Sequence, residues 1–254
     1  MTVAPATELL PVPARGRRYA ATYRVRLADA DPRGLARLDG LARFLQDVAS
    51  EDADDSGLDQ SYGWFVRRTL LVIDRPPVLG ERVHLTTFCT GTGRSWAERR
   101  TALVGDRGGA VEAVSLWIQV DLASGRPAAL GEQFEARYGE AAGGRRVSSR
   151  LALPGPGGDV EVRPWTVRAT DLDVFGHVNN ASHWPILEEV LAGPSFDRVG
   201  TAEIEYLAPI DRQTPTQLHV ARDGADAGVG AWLVADGRVH TAARWRPASG
   251  ASVR

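Results

Sequence analysis

The sequence contains no lysine, a single cysteine and a single methionine in 254 residues, and these shortages narrow its class. With Cys89 alone no intramolecular disulfide forms, which excludes a disulfide-stapled secreted scaffold and makes a reducing compartment the expectation. No run of about 18 apolar residues is present, so no membrane-spanning helix is expected. The segment from Met1 to Ala21 carries its arginines behind its apolar residues, the reverse of a secretory signal, and a cytoplasmic location is expected. Charge of one sign is also missing: 30 basic against 32 acidic residues leave a net charge of -2, which argues against a nucleic-acid partner. Every basic residue is arginine. The pairs Arg67-Arg68, Arg99-Arg100 and Arg145-Arg146 are either part of a solvated mixed surface or contacts for an acidic partner. At 43% hydrophobic and 24% charged the chain is neither disordered nor fibrous, and its length suits one large domain or two of about 100 to 150 residues.

What is present is an internal repeat. Tyr23 to Gly34 (YRVRLADADPRG) aligns with Trp165 to Gly176 (WTVRATDLDVFG) at an offset of 142, with Val25/Val167, Arg26/Arg168, Asp29/Asp171, Asp31/Asp173 and Gly34/Gly176 identical. The register continues into Leu45/Leu187 and Val48/Val190. Val111 to Trp117 aligns with Val239 to Trp245 at an offset of 128, so the first copy carries about 14 extra residues. The chain therefore divides into an N-terminal extension (1–18), a first repeat (19–138), a Gly, Ser and Pro-rich linker (139–160) and a second repeat (161–254).

Each copy reads as a short strand, an Asp/Gly turn, a helix and a run of strands. Leu38, Leu41, Phe44, Leu45 and Val48 have helical spacing, closed by Gly57 at the C-cap position. In copy two, Trp184, Leu187, Val190 and Leu191 follow the same pattern, with Pro185 in the first turn, a start near Asn180 to Ser182 and Pro194 beyond the end. The alternating segments Phe65 to Asp74, Arg82 to Thr90, Ser95 to Val104 and Ala110 to Asp121 predict strands. So do Glu203 to Leu207, Gln217 to Ala221, Gly230 to Ala235 and Val239 to Trp245, the last two joined by a tight turn at Asp236-Gly237. One helix followed by an antiparallel meander predicts an α+β fold in which a sheet wraps a central helix.

The chemistry concentrates in Thr170 to Glu189 (TDLDVFGHVNNASHWPILEE), which sets two carboxylates, a glycine, an imidazole and two amides ahead of a helix. Backbone N–H groups at a helix start can hold a developing oxyanion, a carboxylate can activate water or attack, and a histidine can exchange a proton. The alternative is that Asp171, Asn179 and Asn180 serve only as turn and cap residues.

The string DLDVFGHVNN, followed by a helix bearing a Glu pair, resembles the signature of hotdog-fold thioesterases. With FLQDVASEDADDSG, the stretch from Phe65 to Arg100 and VSLWIQVDLASGRPAAL, the chain resembles plant and bacterial acyl-acyl-carrier-protein thioesterases from about Tyr19 to Trp245. The resemblance implies a tandem hotdog, each half a long central helix wrapped by an antiparallel sheet, hydrolysing fatty acyl thioesters of acyl carrier protein without metal or organic cofactor. Asp173 and His177 match the family motif; its intervening Asn falls on Phe175, and a further family Glu falls on Pro209.

On this reading Asp173 activates a water, or attacks directly, and His177 orients the carbonyl. N–H groups around Gly176 to Val178 receive its oxygen, with Asn179 and Asn180 supporting the turn. Gln46, in the first helix, occupies the repeat position of Glu188, and either residue is a candidate to present a polar group to the water. The repeat also predicts one competent site, because Leu35, Arg37 and Leu38 replace His177, Asn179 and Asn180, leaving Asp31 to bond its own turn and Leu35 and Leu38 to wall the acyl pocket. Cys89 reads as a buried small residue, His183 lacks zinc-ligand spacing, and Trp64, Trp96 and Trp117 read as core or pocket wall. Competing functions are a coenzyme A thioesterase, a hotdog dehydratase or hydratase, and a silent acyl-binding module. A monomer or a homodimer is expected.

Overall fold

The computed structural model describes residues 9–192, 198–222 and 228–248. Eleven strands form one sheet: β1 (Tyr19–Arg24), β2 (Tyr62–Arg75), β3 (Arg82–Thr92), β4 (Trp96–Gly105), β5 (Ala110–Asp121), the two-residue β6 (Arg126–Pro127), β7 (Glu161–Trp165), β8 (Gly200–Tyr206), β9 (Thr216–Arg222), β10 (Val229–Ala235) and β11 (Arg238–Pro247). Three helices accompany it: α1 (Leu38–Ser56), α2 (Glu132–Ala142) and α3 (Pro185–Leu191).

The sheet order is β1-β3-β4-β5-β2-β8-β11-β10-β9-β7, with β6 beside β5. Reversing the second half gives β7-β9-β10-β11-β8, which has the connectivity of the first, so the repeat is a pseudo-twofold pair joined edge to edge at β2 and β8. The seam is antiparallel, running from Arg68 opposite Glu205 to Ile73 opposite Gly200. This is the tandem hotdog of the α+β class that the sequence motifs imply. Joining two repeats through one sheet removes two exposed strand edges and merges their apolar faces. Leu38, Leu41 and Val48 of α1 share one buried cluster with Ile186, Leu187 and Val190 of α3 and with Leu71, Ile204 and Leu218 of the sheet. At about 1.5 to 3 kcal/mol per fully buried aliphatic side chain, this shared cluster is the main force holding the halves together.

Helix α1 closes as expected at Gly57, which takes the left-handed conformation (φ 68°) without a Cβ penalty. The Asp236-Gly237 hairpin has positive φ at both residues, as a type I′ turn requires. Two expectations need correction. The second helix is short: a 3-10 turn, Asn180–His183, leads into seven residues of α3 with Pro185 at its first position, so only the first half has a long central helix. Pro194 lies outside the described residues. Helix α2 was not foreseen; it packs Phe134, Tyr138 and Ala142 over Cys89 and Ala97 in a smaller cluster.

The segment after α2 is pinned along its path. Trp96 donates its indole N–H to the Val147 carbonyl (2.9 Å), the buried Glu205 carboxylate accepts from Ala152 (2.6 Å) and Leu153 (3.1 Å), and Trp232 donates to the Pro154 carbonyl (2.9 Å). Among the described residues no helix is long and apolar enough to cross a membrane.

Candidate active site

The turn from Arg168 to Asn179 repeats most of the hydrogen bonds of that from Arg26 to Arg37. Asp171 accepts the Arg168 N–H (2.7 Å) as Asp29 accepts that of Arg26 (2.9 Å). Asp173 N–H donates to the His177 carbonyl (2.9 Å), and Asp31 N–H to that of Leu35 (2.8 Å). Gly176 and Gly34 sit at φ 77° and 80°, a conformation that a side chain would strain, which explains why glycine stands in both copies. In each copy the Asp side chain closes an Asx turn, accepting at 2.9 Å the N–H of Phe175 or of Arg33.

The copies differ in what surrounds that carboxylate. Asp31 also accepts the Leu35 N–H (2.9 Å) and pairs with Arg33 (3.0 Å) and Arg198 (3.4 Å), and these bonds and charges hold its carboxyl below the usual range despite desolvation. Its structural role therefore matches expectation. Asp173 is half-buried, and no side-chain cation pairs with it among the described residues. His177 is exposed, and its side chain forms no hydrogen bond with Asp173. It stands near Asp211, whose carboxyl is held low by the Thr214 hydroxyl, by the Thr214 and Gln213 N–H groups and, in smaller part, by His177. Phe175, at the family's Asn position, is largely exposed and packs on Phe65 of β2 (centroids 5.8 Å), tying the turn to the first half.

Of the oxyanion donors expected around Gly176 to Val178, the two end N–H groups are engaged by the backbone, and the His177 N–H has no hydrogen-bond partner among the described residues. Gly176 N–H is spent on the Asp173 carbonyl (3.0 Å) and Val178 N–H on the Ile210 carbonyl (2.8 Å), so neither is free for a substrate. Asn179 serves the turn: its N–H bonds the Asp171 carbonyl (2.7 Å) and its side chain caps Ala181 (2.9 Å). Asn180 accepts the Tyr206 hydroxyl on its carbonyl (3.0 Å), and its N–H has no hydrogen-bond partner among the described residues.

The repeat shows what such an N–H attracts. The equivalent donor, Leu38 N–H at the start of α1, binds the Glu188 carboxylate (2.6 Å), which is held in a two-pronged pair by the buried Arg198. Glu188 is thus engaged as the cap of the first repeat's helix. Its repeat mate Gln46 lines a cavity of about 20 Å³ with Asn180, Trp117, Trp184 and Tyr206, and its Oε1 is buried without a partner. That volume holds about one water. The first copy's helix start is filled by an internal carboxylate, while the second copy's faces an unfilled acceptor across the halves.

A second cavity of about 220 Å³ opens further along α1; Ala49, Ala53, Trp64, Trp117, Phe134 and Tyr138 give it apolar and aromatic wall, and Asp54, Asp59, Glu98 and Arg99 give it charged wall. Leu35 and Leu38, expected as pocket wall, line neither cavity; Leu38 is fully buried in the core. Trp64 and Trp117 are pocket wall, and Trp96 instead anchors Val147. Cys89 is buried at the larger cavity, where desolvation pushes its thiol up to about 11, so it is not a thiolate nucleophile at neutral pH. His183 is fully enclosed between the Thr241 hydroxyl (2.8 Å) and the Val178 carbonyl (3.3 Å), with burial pushing it down to about 4; it is a neutral core residue. Among the described residues no cluster suited to a metal occurs.

Of the arginine pairs that read as solvated surface or as contacts for an acidic partner, four residues face carboxylates within the fold. Arg99 binds the buried Asp52 (2.7 Å), Arg100 binds Glu112 (2.7 Å), Arg145 binds Glu98, and Arg68 lies 3.9 Å from Glu98 and from Glu203. The Tyr206 hydroxyl, which accepts the Trp184 indole N–H (3.0 Å) and donates to Asn180, was missed; only its place in an alternating strand marked it.

Two hotdog repeats joined through one sheet, with an internal carboxylate at the first helix start and an N–H without a partner among the described residues at the second, define a single-chain tandem hotdog. The acyl-ACP thioesterase N-terminal domain matches residues 16–138 and the C-terminal domain matches residues 157–242, so this chain belongs to the acyl-ACP thioesterase family. It is 32% identical over 212 residues to the uncharacterized Mycobacterium tuberculosis proteins MT2057 and Rv2001, covering 83% of this chain and 85% of each relative. Its fold is shared with an oleoyl thioesterase (putative) from Lactobacillus plantarum, at 20% identity and TM-score 0.77, covering 93% of this chain and 99% of that one. The 12:0-ACP thioesterase from Umbellularia californica is similar at 17% identity and TM-score 0.72, over 92% and 98% of the two chains.

Proposed function

We propose that this protein hydrolyses fatty acyl thioesters of acyl carrier protein, releasing free fatty acid, with one competent site per chain. The observation that carries this is the asymmetry of the two helix starts: Leu38 N–H holds an internal carboxylate, whereas Asn180 N–H is open beside the unpaired Gln46 Oε1. In this reading the thioester carbonyl oxygen takes the place at Asn180 N–H that the Glu188 carboxylate takes at Leu38. The N–H at the start of a helical turn stabilises the charge that develops on that oxygen.

The attacking water is held by Gln46 Oε1. Its oxygen bonds to the carbonyl carbon as its proton passes to the Asp173 carboxylate. The carbon–sulfur bond then breaks, and Asp173 returns the proton to the leaving thiolate. His177, solvent-facing and beside Asp211, orients the thioester at the mouth. No step requires a metal or an organic cofactor. The acyl chain lies along α1 toward the larger chamber, and the carrier docks on exposed arginines at the turn: Arg168, which begins it, and Arg212, which follows the Asp211 that stands beside His177. One chain supplies both halves, so a monomer is sufficient, and the lone reduced Cys89 accords with a cytoplasmic setting. The test is release of free thiol from acyl carrier protein and from coenzyme A carrying the same acyl group. Faster turnover of the carrier-bound form supports the reading, and no thiol release from either refutes it.

A further inference from the structure

The two cavities lie on one face of α1. The smaller is lined by Ala42, Leu45 and Gln46, the larger by Ala49, Ser50, Ala53 and Asp54. Steps of three and four residues place these on one helical stripe, and three of them are alanines. Among the described residues only Trp117, on β5, lines both cavities. A single indole therefore stands between the two spaces.

That indole is held differently from three others. Trp96, Trp184 and Trp232 each donate their N–H to a protein oxygen within 3.0 Å. Trp117 Nε1 is buried and has no hydrogen-bond partner among the described residues. A buried donor left unpaired costs about 1 to 3 kcal/mol, and no directional bond fixes the ring in its present position. Packing alone keeps Trp117 between the two spaces.

Resting on the thioesterase reading above, we propose that Trp117 is the specificity-determining residue of this enzyme: a partition beside the water-sized space at Asn180 that short acyl chains do not reach and that a longer chain must displace before it enters the chamber of Trp64, Phe134 and Tyr138. A chain that ends before the indole gains nothing from the space beyond it. A longer chain gains the Trp64, Phe134 and Tyr138 walls but must first move the ring. The residue therefore sets a break in the dependence of binding and turnover on chain length, and a smaller side chain removes that break.

The test compares the wild type with Trp117→Ala and Trp117→Phe, using circular dichroism to show that each is folded. Non-hydrolysable thioether analogues with butanoyl-, octanoyl-, dodecanoyl- and hexadecanoyl-length chains are titrated by calorimetry, and the matching thioesters are assayed for kcat/KM. Trp117→Ala is expected to raise the ratio of long-chain to short-chain affinity and kcat/KM by about tenfold or more, with Trp117→Phe in between. A ratio unchanged within about twofold in Trp117→Ala, in binding as in turnover, overturns the partition. Analogues that bind with the expected break but esters that are not cleaved would refute the thioesterase reading and leave the partition supported. If no analogue of any length binds either protein, the acyl path along α1 is refuted and the partition with it.

Discussion

The Glu188 carboxylate of the second repeat accepts the Leu38 N–H of the first at 2.6 Å, so each chain fills one of its two pseudo-equivalent helix starts with a carboxylate of its own. Arg198, with only 4% of its side chain exposed, holds that carboxylate and reaches Asp31 as well. The first repeat thus holds, in an ion pair, a carboxylate at the position where the proposed site of the second receives the thioester oxygen.

Glu188→Gln retains the shape and removes the charge facing the buried Arg198. Stability should fall by roughly 1 to 3 kcal/mol while kcat changes little. Urea unfolding followed by fluorescence, beside a turnover assay, checks both halves; a large loss of kcat at full stability would mean that Glu188 takes part in the chemistry.

Gln46→Leu removes the unpaired acceptor with little change in volume. Turnover should drop by about tenfold or more with KM nearly constant, because the interaction serves the attacking water rather than the acyl chain. An unaltered kcat would show that Oε1 does not hold that water.

His183 should make stability fall with acidity. Burial pushes its pKa down to about 4 against a usual value near 6.5, with His240 adding slightly in the same direction. Between those values the unfolded chain binds the proton and the folded chain does not, so stability declines as pH falls from about 6.5 to about 4, by up to about 3 kcal/mol. Urea midpoints at several pH values for the wild type and for His183→Gln test this; equal slopes would assign the acid sensitivity elsewhere.

Carrier docking should depend on exposed arginines rather than on the pairs already bonded inside. Arg168→Glu with Arg212→Glu should raise KM for carrier-bound substrate several-fold, and rising salt should do the same in the wild type. An uncharged N-acetylcysteamine thioester should respond to neither. Equal effects on both substrates would remove docking as the cause.

Much of this architecture is legible in the sequence because it rests on local rules. The Leu38 to Val48 spacing, Gly57, the Asp/Gly turns and the hairpin at Asp236 each follow from backbone geometry and periodicity. Helix α2 carries the same signals in Phe134, Tyr138 and Ala142, spaced by four and followed by Gly143 in the left-handed conformation, but its exposed charged face and flanking glycines hide it, and the expected boundary at 138/139 divides it between first repeat and linker. The shortness of α3 and the spending of Val178 N–H on Ile210 depend on tertiary neighbours, which no local pattern encodes. The arginine pairs looked like surface because their carboxylate partners, Asp52, Glu98 and Glu112, sit on other elements or across a strand pair. The repeat is the most informative signal, since its offset of 142 alone pairs Gln46 with Glu188.

The most direct measurement sets Asp173→Asn beside Asp31→Asn in the same assay of kcat/KM for carrier-bound substrate, with folding verified for each. The two residues close equivalent turns, and only Asp173 is proposed to carry a proton. Asp173→Asn should lose about a hundredfold or more in kcat/KM at unchanged fold, and Asp31→Asn should retain most of its turnover while losing stability. An active Asp173→Asn protein, or an Asp31→Asn protein that is folded and inactive, would contradict a single site in the second repeat.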